Sequence, residues 1–158
     1  MAGSRVTVLD KGLGRLRERL AKIGRGYTLT VGIHAAEGGA EATGSKATLL
    51  EVAVINEYGL GVPERSFIRD WADLNESKHQ DDLRKIGIAV LRGDYTVDVG
   101  LGRLGALYQG EVQARISAGI PPPNAPSTIA RKGSSTPLIH TGQLRSAILW
   151  KVTREGET

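Results

Sequence analysis

Cysteine is absent from this chain, and that gap alone excludes disulfides, thiolate metal sites and a cysteine nucleophile. It fits assembly in a reducing cytoplasm. Aromatic residues are scarce, at 4%: Phe67, Trp71, Trp150, Tyr27, Tyr58, Tyr95 and Tyr108. The expected core is therefore aliphatic. No apolar run approaches the ~18 residues of a membrane span, and the first residues lack the apolar stretch of a signal peptide. No membrane contact is expected. Acidic residues are missing from a whole region. Between Glu111 and Glu155 there is none, while Arg115, Arg131, Lys132, Arg145, Lys151 and Arg154 all fall there. A basic C-terminal part on a slightly acidic body points to an acidic partner, either protein or nucleic acid.

What is present is enough for one domain. A chain of 158 residues with 40% hydrophobic and 24% charged content fits a single folded unit over residues 1–158. Residues 5–9 (RVTVL) alternate and predict a short strand. Leu9, Leu13, Leu16, Leu20 and Ile23 recur at helical spacing, opposite Lys11, Arg15, Glu18 and Lys22, and Gly24 and Gly26 end the run. Residues 27–34 (YTLTVGIH) alternate with period two and make the clearest strand. Residues 35–46 are rich in glycine and alanine and predict a flexible loop. Residues 47–58 are apolar nearly all round and stop at Gly59, as a short buried helix does. Ser66 is placed to cap a helix from Phe67 to about Leu91, bent where ESKHQDD interrupts its apolar face. Leu101, Leu104, Tyr108, Val112 and Ile116 mark a further helix over residues 99–120, despite five glycines. Residues 147–153 (AILWKVT) read as a final strand, with residues 27–34 as its partner. The two strands are expected to pack on the helices at 13–23 and 67–91. The fold class expected is α+β, a small mostly antiparallel sheet flanked by helices.

Residues 117–138 differ in kind. They hold Pro121, Pro122, Pro123, Pro126 and Pro137, five of the six prolines. Consecutive prolines favour an extended polyproline conformation, so this stretch predicts a long arm. Pro121, Pro122, Pro123, Arg131 and Lys132 are its candidate partner-binding residues, because a stiffened chain loses less entropy on docking and the two cations suit an acidic surface.

Motifs for chemistry are weak. Gly100-Leu-Gly102-Arg-Leu-Gly105 matches G-x-G-x-x-G, but a dinucleotide site needs a strand–helix–strand unit with an acid about 20 residues on, and here prolines follow. Small residues at a close helix contact are the better reading. Residues 39–46 end in Gly44-Ser45-Lys46, whereas a phosphate loop needs Lys directly after its second glycine. His34, His79 and His140 are far apart in sequence, and none sits one helical turn from another. Asp98, Ser134, Ser135 and His140 have no nucleophile motif around them. Asp81 and Asp82 sit in a polar helix stretch. No catalytic residue, cofactor or metal is expected. The basic region holds one aromatic, Trp150, so stacking platforms for single strands are missing. Nonspecific contact with a passing phosphate backbone is the DNA contact that remains.

Two stretches carry a family likeness. The run IPPPNAPSTIARKGSSTPLIHTGQLRSAILWKV, residues 120–152, resembles tailed-bacteriophage neck and tail-completion proteins. VAVINEYG followed by VPERSFIRDWAD resembles the same proteins, with a short LGV spacer between Gly59 and Pro63 as the departure. The likeness spans roughly residues 27–152, and a similar terminal pattern occurs in phage virion-morphogenesis proteins. The resemblance implies a non-enzymatic virion subunit made in the host cytoplasm. It implies a homo-oligomeric ring, usually sixfold, between connector and tail tube, with other connector and tail proteins as neighbours. The alternatives it leaves are a tail terminator and a morphogenesis or DNA-contacting assembly factor that is not retained in the particle.

Overall fold

The computed structural model describes residues 12–24 and 26–156; the strand expected at residues 5–9 lies outside them. In chain order the elements are α1 (Leu13–Ile23), β1 (Tyr27–Gly32), α2 (Ala35–Gly38), α3 (Leu49–Tyr58), α4 (Arg69–Leu74), α5 (Glu76–Arg92), α6 (Val97–Ala118), α7 (Pro126–Lys132), α8 (Gln143–Ser146) and β2 (Leu149–Arg154). The fold is α+β. Among the described residues, no helix is long and apolar enough to cross a membrane.

β1 and β2 form a two-stranded antiparallel sheet, with Tyr27 opposite Arg154 and Gly32 opposite Leu149. Directly opposed residues share a face. Leu29 with Val152 and Val31 with Trp150 therefore make one side, and Thr28 with Thr153 and Thr30 with Lys151 make the other. The apolar side rests on α6, not on the helices at 13–23 and 67–91 as the sequence predicts. Glycine explains the difference. A Cβ at Gly105 would stand 2.8 Å from the Trp150 ring and 2.9 Å from Leu29, so only glycine lets the sheet approach this closely. The glycines of G-x-G-x-x-G thus serve packing within a helix. Each lowers helix propensity by about 1 kcal/mol against alanine, and the contacts they permit offset that.

α6 is the spine of the core. Leu104, Tyr108, Val112 and Ile116 line its buried face and meet Phe67, Trp71, Ile120, Leu144 and Ile148. Phe67, Val112, Ile116 and Ile148 are wholly shielded from water. The core is not purely aliphatic: Phe67, Trp71 and Tyr108 sit inside it, with the Trp71 and Tyr108 rings edge to face at 5.3 Å.

Other boundaries differ from the sequence reading. Residues 35–46 are not all loop: they contain α2, and Glu41 pairs with Thr48 in an isolated antiparallel bridge. The long helix is two, α4 and α5, meeting at Asn75, whose Nδ2 donates to the Trp71 carbonyl at 2.8 Å. α8 starts after Gly142, which is in a left-handed conformation.

Candidate assembly interface

α3 owes its start to a reciprocal cap. Thr48 Oγ1 accepts from the Glu51 amide at 3.2 Å, and the Glu51 carboxylate accepts from the Thr48 amide at 2.7 Å. The Thr48 amide, and after it the Thr48 hydroxyl at 3.0 Å, donate to the Glu51 carboxylate and hold its pKa below the ordinary value. Its end is Gly59, at φ 66°, where a Cβ would press on the Glu64 backbone at 3.0 Å. Between these caps the helix has two faces. The inner face buries Leu49, Ala53 and Glu57.

Glu57 is the centre of the turn that follows. Its carboxylate accepts from Ser66 Oγ at 2.7 Å and from the amides of Phe67 at 2.9 Å, Ile68 at 3.3 Å and Arg69 at 2.8 Å. Those amides are the unsatisfied donors that begin α4, and an anion borrowed from another helix satisfies them. This is why α4 begins at Arg69, two residues later than expected. Ser66 is not its N-cap residue, although Ser66 Oγ does accept from the Asp70 amide at 3.1 Å. Arg115 of α6 donates to the Ser66 carbonyl at 3.3 Å and to Asp70 at 3.1 Å. Buried Arg65 reaches the other way, donating to the carbonyls of Pro122 at 3.0 Å and Pro123 at 3.4 Å.

The proline-rich stretch is therefore not an extended arm. It is tethered at Arg65 and folds back on itself. α7 starts with Pro126 and ends at Gly133. Asn124 Nδ2 donates to the carbonyls of Ser134 and Ser135 at 3.4 and 3.1 Å, and Pro137 is buried. The Pro121–Pro122 bond is cis. Of the proposed docking residues, Pro121, Pro122, Pro123 and Arg131 are exposed. Lys132 is occupied inside the loop, donating to the Thr136 carbonyl at 2.8 Å. Burial, and then the nearby Arg65 charge, push its pKa below the usual lysine range.

The basic region is also less free than its composition implies. Arg115 pairs with Asp70, Arg154 pairs with Asp98 at 2.9 Å, and Arg145 donates to Ser117 Oγ at 3.2 Å. Arg131 and Lys151 remain as exposed cations of this stretch.

The outer face of α3 is the feature the sequence reading missed. A helix apolar all round belongs inside a core, yet Leu50 is 46% exposed, Val54 39% and Tyr58 57%. Leu60 and Val62 in the following turn extend the patch. A groove of about 650 Å³ runs along it, lined by Lys46, Leu50, Glu51, Val54, Ile55 and Leu60 among others. Contiguous exposed apolar side chains of this kind mark an interaction surface. The signal was in the sequence: apolar residues on every side of a helix in a chain this small.

The candidate chemical residues do not converge. Asp98 lines one concavity with Arg19 and Arg154, His140 another with Gln143, and Ser135 a third with Pro121. Thr43, in the glycine-rich stretch, donates through its amide and its hydroxyl to Gln143 Oε1 at 2.8 and 2.7 Å. His34 Nε2 lies 3.0 Å from Thr30 Oγ1. His79 packs against both Trp71 and Tyr108, its ring centroid 4.5 Å from each and its plane tilted 47° and 53° to theirs. Beside it Lys78 bridges Asp82 and Glu111, each at 3.0 Å, and Trp71 Nε1 donates to Glu111 at 3.1 Å. This cluster joins α4 and α5 to α6. Burial holds the His79 pKa below its ordinary value. Among the described residues, no group of His, Asp and Glu is arranged to hold a metal ion. No protein-family model, curated protein or solved structure matches the chain.

Proposed function

We propose that this chain is a structural subunit of the tailed-phage head–tail junction, a neck or tail-completion protein that assembles as a ring, sixfold by the family likeness, between connector and tail tube. The observation that carries the reading is the outer face of α3, which a lone subunit leaves in water. Two supports stand beside it. The stretches that resemble neck proteins, VAVINEYG and VPERSFIRDWAD, are the ones that build α3, Glu57 and the turn it holds. The other stretch of likeness, residues 120–152, includes the loop that Arg65 ties to that turn. Docking to the connector or tail falls to the exposed prolines and Arg131. Lys132 drops out of that role, because its ammonium is engaged within the loop.

Native mass spectrometry of the purified chain over a range of concentrations, together with gel quantification of purified virions, tests the reading. A closed oligomer and about a ring's worth of copies per particle are expected. A chain that stays monomeric and is missing from virions contradicts it. The morphogenesis-factor alternative differs in that last respect: the protein assembles but is absent from finished particles.

A further inference from the structure

α1 also leaves apolar side chains uncovered, as α4, α5 and α6 do at Leu74, Leu83, Ile88 and Leu107. Its leucines recur at helical spacing, yet Leu16 is 38% exposed and Leu20 49%. α1 leans on the end of α5, where Arg19 donates to the Leu91 carbonyl at 2.8 Å. α3 packs elsewhere, against α2 and α8. An amphipathic helix laid on an apolar groove is a standard mode of recognition, read as anchors one turn apart. Here the anchors and the groove occur in one chain, on different elements.

Charge selects the pairing. α1 carries Arg15, Arg17, Arg19 and Lys22 against Glu18 alone. Residues 34–64, which contain α3 and its flanks, carry Glu37, Glu41, Glu51, Glu57 and Glu64 against Lys46 alone. Glu57 is consumed inside and Glu64 pairs with Arg69 just beyond, but Glu41 and Glu51 are exposed. A basic amphipathic helix thus complements an apolar groove with an acidic surround. A groove of this charge disfavours nucleic acid, and two α3 faces set against each other bring acid to acid.

We propose that α1 of one subunit docks through Leu16 and Leu20 on the α3 face of the next, at Leu50, Val54 and Tyr58. The inference rests on the ring reading and deepens it by naming the two faces. Because the faces differ, the contact is head to tail and repeats around a ring, where a like-with-like contact stops at a dimer.

The absence of cysteine makes the test clean. Leu20→Cys and Val54→Cys are made separately in the full chain, their melting is checked against the parent, and they are oxidised mildly, alone and mixed. The mixture is expected to give a covalent dimer that neither variant gives alone, and the double variant a ladder of covalent oligomers. Disulfides within either variant alone, closure within one double-variant chain, or no cross-link in the mixture overturns the proposal. Arg15→Glu combined with Arg17→Glu should raise the concentration needed for assembly about tenfold or more; no change also counts against it. Native mass spectrometry of the parent separates the two levels. Assembly without the mixed disulfide removes this contact and leaves the ring. A parent monomeric at every concentration removes this contact, and its absence from virions as well removes the ring.

Discussion

The two faces of α3 are built from one ten-residue helix and treated in opposite ways. On the inner face Glu57 is buried, and its carboxylate accepts four hydrogen bonds. On the outer face Leu50 and Val54 stand in water, and Tyr58 beside them is exposed with the Arg69 guanidinium over its ring at 5.3 Å. The inner face follows the rule that buried polar groups are satisfied. The outer face departs from the rule that large apolar patches are covered. On the proposed ring reading the inner face serves folding and the outer face assembly, and substitutions on the two sides should separate accordingly.

The largest effect belongs at the core the inner face supports. Phe67→Ala should destabilise the monomer by about 3–5 kcal/mol, the range for emptying a buried aromatic site, read from urea melts. A loss below 1 kcal/mol means that Phe67 is not enclosed as described. Glu57→Ala comes next, at about 2–4 kcal/mol, because it strands three amides and a buried hydroxyl. Glu57→Gln should recover only part of this, since an amide presents one acceptor oxygen where the carboxylate presents two.

A smaller effect is set by pH. The folded protein holds His79 below its usual value of 6.5, so at acid pH the unfolded chain binds the proton first. Stability is therefore fully present above pH 6.5 and falls as pH drops through the lowered folded value. His79→Gln should flatten that acid-side slope in urea melts taken from neutral pH downward, and an unchanged slope places its origin in other groups. Smallest of all is Leu20→Ala. The sequence pattern alone predicts a loss of about 2–5 kcal/mol if the site is buried. With Leu20 49% exposed, the expected change in the monomer is within about 0.5 kcal/mol, and the measurable loss is in self-association.

Much of this was legible in the sequence because it depends on local chemistry. The period-two run at residues 27–34 and the apolar run before the C-terminus became β1 and β2, paired as expected. Gly59 and Gly93 ended their helices in left-handed conformations. The capping box Thr48-x-x-Glu51 and Pro126 at a helix start were also readable signals. What was not legible depended on partners distant in sequence. Nothing near Glu57 says that it will cap α4, and nothing near Arg65 says that it will hold Pro122 and Pro123. For that reason the polyproline run read as a free arm and the glutamate as an incidental charge in an apolar helix. The site followed the same division. Pro121, Pro122 and Pro123 stand in solvent, while Lys132 is engaged by a carbonyl four residues along its own loop.

The assignment of folding to one face of α3 and assembly to the other is tested most directly by Val54→Glu, measured twice on the same preparation. Urea denaturation under dilute conditions reports the monomer, and native mass spectrometry at high concentration reports the oligomer. The account predicts a urea midpoint close to that of the parent chain and a protein that no longer assembles. A variant that assembles like the parent, or one whose midpoint falls as far as that of Glu57→Ala, contradicts it.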